Sequence, residues 1–97
     1  MKRGFSLSEV IIVRWRDANT RGGWGCKDEY LCHDVANVLT VGFLLRETKD
    51  IITVATNQGD FDDINQAIAI PKEWCDEVVR LAVPQKVAKR LWHVEPA

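Results

Sequence analysis

Residues 39–81 constrain the fold of this chain more than any other part, because apolar stretches and turn signals alternate there at strand-like intervals. Residues 40–46 and 51–56 are rich in Val, Ile, Phe and Leu and flank Glu47-Thr48-Lys49-Asp50, a polar loop of hairpin length. Under period-2 alternation Val41, Phe43 and Leu45 share one face of the first arm, and Ile52 and Val54 share one face of the second. Gly42, in mid-strand, marks a bend or bulge of the kind that lets a small sheet curl. Residues 64–70 form a further strand, with Ile64, Ile68 and Ile70 on one side and Ala67 and Ala69 on the other. Pro71 ends its ladder, having no N–H to donate, and suits the first residue of a helical turn. The segment reads as a meander that closes a small antiparallel barrel.

Before the meander, residues 9–17 are a strand candidate with an apolar face of Ile11, Val13 and Trp15 and a second face ending in Arg14 and Arg16. Residues 18–25 contain three glycines and form a loop carrying Trp24, either folded back as a lid on the core or exposed to a ligand. In residues 26–38 Leu31, Val35 and Val38 recur at helical spacing, and Asp28 is placed to cap one short helix. Residues 72–83 fit two patterns. Trp74, Val78 and Leu81 have helical spacing, whereas Val79, Leu81 and Val83 alternate as a strand would after one turn at 71–75. The expected core is Ile11, Val13, Phe43, Leu45, Ile52, Val54, Ile68 and Ile70. Residues 1–83 make one domain on this reading, and residues 84–97 a C-terminal extension. Val87 and Leu91, with Lys86, Lys89 and Arg90, give 85–94 the pattern of a short basic amphipathic helix.

The succession Trp15-Arg16-Asp17-Ala18, Trp24, Val41-Gly42-Phe43-Leu44-Leu45, Thr48-Lys49-Asp50-Ile51-Ile52 and Ala69-Ile70-Pro71-Lys72 resembles a group of small uncharacterised proteins carried by bacteriophages and prophages. The likeness covers roughly residues 10–82 and implies a setting, the cytoplasm of an infected host, without implying a reaction. The order of two long arms, a strand, a Pro-initiated turn and a last short strand is also similar to SH3-like and Sm-like barrels. The fold class expected is therefore mainly β, a small SH3-like or Sm-like antiparallel barrel with one or two short helices.

With 97 residues, 46% hydrophobic and 28% charged, the chain has the size and composition of one globular domain rather than a disordered one. Its longest apolar runs fall far short of a membrane span, and the polar Ser6-Leu7-Ser8-Glu9 stands where a signal peptide would be apolar. Three cysteines, an odd number, fit a reducing compartment better than a disulfide framework. Charge is segregated: six Lys/Arg against two Asp/Glu in residues 1–27, two against eight in 28–63, and five against four in 64–97. The net charge of −1 gives no general attraction to nucleic acid.

No phosphate-binding loop, dinucleotide fingerprint or Gly-x-Ser-x-Gly is present. The acidic loop 57–63 lacks the twelve-residue calcium pattern with its closing Glu, and Cys26, Cys32 and His33 match no usual zinc spacing. A Cys/His nucleophile pair has no local signature either. A non-enzymatic protein without metal or cofactor is expected, and two kinds of binding remain. In the first, Arg14, Arg16, Arg21 and Trp24, with Lys72 and Trp74 completing the set, combine charge-assisted hydrogen bonds with stacking surfaces. That chemistry suits a phosphorylated ligand such as a nucleotide or cyclic nucleotide, and its sequestration would counter a host defence. In the second, exposed Trp and Arg side chains and β-edges dock on a host or phage protein. Four or five short strands leave edges exposed, so self-association into a homo-oligomer is expected as well.

Overall fold

The computed structural model describes residues 9–59 and 63–91. Five strands, β1 (Val10–Asp17), β2 (Ala36–Glu47), β3 (Ile51–Gln58), β4 (Ile64–Pro71) and β5 (Cys75–Leu81), form one antiparallel sheet in the order β4-β3-β2-β1-β5. Helix α1 (Lys27–Leu31) lies between β1 and β2, a 3₁₀ turn (Lys72–Trp74) separates β4 from β5, and α2 (Gln85–Leu91) follows β5.

The mainly β expectation is met, but the sheet does not close into a barrel. Strands β4 and β5 are its two edges and share no ladder. Within β4 Gln66 takes a left-handed φ of 62°, between Asn65 and Ala67, which both stay paired with β3. Its own pairing opposite Thr56 is interrupted there. The two edges are instead drawn together by side chains. Arg80 of β5 and Lys72, which follows β4, both reach Glu47 at the end of β2, at 2.6 and 3.0 Å. Arg80 also meets Glu9 at 3.3 Å.

The bend that makes this possible sits in β2. Its residues 36–43 pair with β1, and from Phe43 onward it pairs with β3. Gly42 stands at that handover. A Cβ there would fall inside the Ala55 carbonyl oxygen and 2.8 Å from Val54 Cγ1, so only glycine lets the two backbones approach this closely. A register shift between Leu44 and Arg46 then re-aims the end of β2. Inside the bend lies the core of Ile11, Val13, Trp15, Ile52, Val54 and Ile70, with Val38, Leu44, Cys75 and Val78 packed against it. Trp15 donates from Nε1 to Thr40 Oγ1 at 2.9 Å, which satisfies the indole N–H beside the apolar cluster.

Five of the eight expected core residues are buried there, and three are not. Pairing of Ile11 with Gly42 and of Val13 with Thr40 places Val38, Thr40 and Leu44 on the core side. Phe43 therefore faces outward and is half-buried, Leu45 lies in the irregular register and is exposed, and Ile68 is exposed near the sheet edge. For Phe43 and Leu45 the assignment failed because β2 is apolar on both faces, and alternation alone does not say which face turns inward. Ile68 pairs with Val54 on the core side but lies in an edge strand.

Other boundaries moved for local reasons. The expected helix within 26–38 exists, but it stops at Leu31, and β2 begins at Ala36, so Val38 belongs to a strand. Cys26, not Asp28, occupies its N-cap, without a side-chain cap bond. Pro71 is the last residue of β4 and the N-cap of the 3₁₀ turn rather than its first residue. Of the two patterns in 72–83, the strand is adopted, because β5 completes a ladder on β1. Asn57 and Gln58 belong to β3, and the acidic loop that follows lies partly outside the described residues. Helix α2 forms as expected, while Trp92, His93 and Val94 lie outside them.

Candidate binding surface

The connection from β1 to β2 is braced internally. Arg21 donates to the Glu29 carbonyl oxygen and to Glu29 Oε2, both at 3.1 Å, and its guanidinium lies 4.9 Å from the Tyr30 ring centroid. Tyr30 donates its hydroxyl to Gly23 O. Asn19 joins the two ends of the connection, donating to Asp34 O at 3.2 Å and accepting at its own carbonyl from His33 Nε2 at 2.9 Å. That contact places the proton of His33 on Nε2, since a carbonyl oxygen only accepts.

This frame presents Trp24. Gly23 has a φ of 86°, a conformation that glycine adopts without strain, and a Cβ at Gly25 would lie 2.7 Å from Glu29 Oε2 and 3.3 Å from the Tyr30 ring. The two glycines therefore let the chain turn tightly over Tyr30 and leave the indole between them fully exposed, at 106% of its reference area. Trp24 is not a lid on the core. Leu31 and Val35 of the same connection are exposed too, as is Leu39 just beyond it.

The structure separates the six candidate residues into four places. Arg14 and Arg16 lie side by side on the face of the sheet turned away from the core, where they meet the β5 carboxylates of Glu77 at 3.8 Å and Asp76 at 3.2 Å. Arg21 and Trp24 share the braced connection, with Arg21 turned to Glu29 and Tyr30. Lys72 belongs to the Glu47 clasp. Trp74 stacks on Trp15, with centroids 6.4 Å apart and planes at 14°, covering one end of the core. Among the described residues no carboxylate or ring is shared by two of the six.

Each of the four cations thus already has an anion. These pairs are half exposed, and a phosphate could displace their carboxylates at modest cost, since exposed pairs contribute only about 0–1 kcal/mol. The Glu47 clasp is more extensive. Hydrogen bonds from Arg80 and then Lys72 hold the Glu47 carboxyl below its ordinary range, and Glu47 and Glu9 raise Arg80. Cys75 donates its thiol to Pro71 O at 3.6 Å, and burial pushes its titration upward. Cys26 and Cys32 are exposed.

A cavity of about 310 Å³ opens between the start of β1, the end of β5 and α2, lined by Val10, Leu81, Val83 and Ala88 with Glu9 and Arg80. Its two charged residues bind one another, and none of the six candidates lines it. Among the described residues no group of three or more His, Cys, Asp or Glu side chains is arranged to hold a metal ion, and no helix is long and apolar enough to cross a membrane.

Sequence reasoning missed two features. The clasp joins Glu9, Glu47, Lys72 and Arg80 from four distant points of the chain, and no local spacing announces it. The outward apolar row of Ile12, Val41 and Val79 was legible in principle, since β1 and β2 carry apolar residues at consecutive positions. No family model, curated protein or solved structure matches this chain.

Proposed function

We propose that the protein is a non-enzymatic accessory protein of bacteriophage type, acting in the host cytoplasm, whose task is to dock on a host or phage protein. The observation that carries this reading is Trp24, an indole wholly in solvent on a connection stiffened by Arg21, Tyr30, Asn19 and His33. A rigid exposed tryptophan with neighbouring apolar side chains is the composition of an interface anchor, because burying it gains much area at little entropic cost. The strand order, with a 3₁₀ turn between the last two strands, supports kinship with SH3-like barrels in an opened form. Likeness of that kind bears on architecture and leaves the function to the site.

Capture of a phosphorylated ligand such as a cyclic nucleotide is the second reading. It is favoured by Arg14 and Arg16, whose side chains are adjacent, on one face and more than half exposed. One set of experiments separates the two. Immobilised full-length protein should retain a discrete partner from host extract, Trp24→Ala should retain at least tenfold less of it, and the melting temperature of the variant should stay within about 2 °C of the parent. A parent whose melting temperature rises with added nucleotides, with the rise lost in Arg14→Ala and Arg16→Ala but kept in Trp24→Ala, would replace docking by ligand capture.

A further inference from the structure

The end of the sheet that presents Trp24 carries more negative than positive charge, and the surplus is unpaired. Three cations there are matched: Arg14 by Glu77, Arg16 by Asp76 and Arg21 by Glu29. What remains is Lys27 against Asp17, Asp28 and Asp34 of the β1–β2 connection and Glu73 of the 3₁₀ turn whose Trp74 stacks on Trp15. One cation against four carboxylates leaves −3. Among the described residues none of these five makes an ion pair, and Asp34 accepts only a hydrogen bond from Val35 N at 2.7 Å. All but Asp17 are exposed.

The unpaired cations of the sheet's remaining elements stand at its other end. Val10 pairs with Leu81, so α2, with Lys86, Lys89 and Arg90, follows β5 at the end of β1 remote from Asp17, and its Ala88 borders a cavity with Val10. Arg46 belongs to that remote end too, beyond the pairing of Phe43 with Val10. The length of β1, at about 3.3 Å per residue, puts roughly 23 Å between the two ends, well beyond the ~8 Å screening length at physiological salt. Trp24 therefore stands in a field of negative sign that the basic end does not cancel.

We propose that the partner met by Trp24 is a protein surface with an apolar pocket for the indole and a rim of Lys or Arg. This inference rests on the docking reading given above and names the chemistry of its partner. Trp24 supplies the anchor, the exposed Leu31 and Val35 extend the apolar contact, and the unpaired carboxylates form the polar rim. Rim charges act chiefly on the association rate and its salt dependence, whereas the anchor acts on the lifetime of the complex. The same field repels phosphate, so a nucleic acid stacking on Trp24 meets like charge.

Two measurements on the full chain test it. Fluorescence of Trp24, taken as the parent's signal minus that of Trp24→Ala, should favour quenching by caesium over iodide at least about twofold more than free N-acetyltryptophanamide does, and Asp28→Asn with Asp34→Asn should bring that ratio towards the free value. The partner retained from host extract should feel the same field. Its retention should fall at least about fivefold between roughly 50 and 500 mM NaCl, and at the lower salt at least about threefold in the double Asn variant. Both replaced side chains are exposed, so that variant should melt near the parent. A caesium-to-iodide ratio at or below that of the free indole overturns the proposal. So does a partner that is lost in Trp24→Ala but indifferent to salt and to the Asn variant, which leaves docking standing on an uncharged surface, and so does retention that nuclease abolishes. If nothing retained depends on Trp24, the docking reading fails and this proposal with it.

Discussion

Replacing Gly42 by Ala tests whether β2 passes from β1 to β3 by the close backbone approach described above. Two opposite effects are in play. Removing a glycine from a strand restricts the unfolded chain and, where the native conformation accepts a side chain, stabilises by about 0.4–1 kcal/mol. Against this, the new methyl would overlap the Ala55 carbonyl oxygen and lie 2.8 Å from Val54 Cγ1 and 3.1 Å from the Ala55 carbonyl carbon. Val54 Cγ1 can yield by a rotamer change, but the Ala55 carbonyl is a backbone group held in a strand that pairs on both sides. Inserting a methyl into a site that cannot relax costs about 1–3 kcal/mol, and a backbone clash belongs at the upper end. The net expectation is a loss of about 2–3 kcal/mol. With a urea m-value of about 1–1.5 kcal/mol/M for a domain of this size, the unfolding midpoint should fall by roughly 2 M. Circular dichroism and tryptophan fluorescence should follow the same transition. An unchanged or raised midpoint would mean that β2 and β3 lie further apart at residue 42, and the bend that encloses the core would have to be redrawn.

Other expectations follow from the same geometry. Ile52→Ala, which empties a fully buried position, should cost about 2–5 kcal/mol, whereas Phe43→Ala, on the outer face, should cost less; equal losses would reverse the assignment of faces. Glu47 has a folded-state pKa below its unfolded value, so its stabilisation is present above the unfolded value and is lost as pH falls through the folded one. The melting temperature of the parent should accordingly drop more steeply below about pH 4.5 than that of Glu47→Gln, and parallel curves would deny the clasp a role. Ellman's reagent should modify Cys26 and Cys32 quickly and Cys75 slowly, because burial disfavours its thiolate; three equal rates would contradict that burial.

Periodicity and turn chemistry were enough to place β1, β3, β4 and β2 from residue 40 onward, because each carries β-branched or aromatic residues between polar or glycine-rich breaks, whereas residues 72–83 fitted a helix as well as a strand and only pairing with β1 made them β5. The same signals also placed Ile11, Val13, Ile52, Val54 and Ile70 inside, since these strands meet the core on the face that alternation marks. In β2 the same logic had no purchase. Both of its faces are apolar, and only pairing with β1, residue against residue, turned Val38 and Leu44 inward and left Val41 and Phe43 outside. Tertiary structure also decided how the sheet ends. The ends of the strands are tied by four charges from separate parts of the chain, which no local pattern encodes. The candidate binding residues divide in the same way. A glycine-rich stretch announced that Trp24 sits on a loop, but its exposure depends on Arg21, Glu29 and Tyr30 filling the space beneath it, and the separation of Arg14 and Arg16 from Lys72 and Trp74 depends on which side of the sheet each strand turns outward. Alternation along one strand is a local property, while the choice of the covered face belongs to the whole sheet.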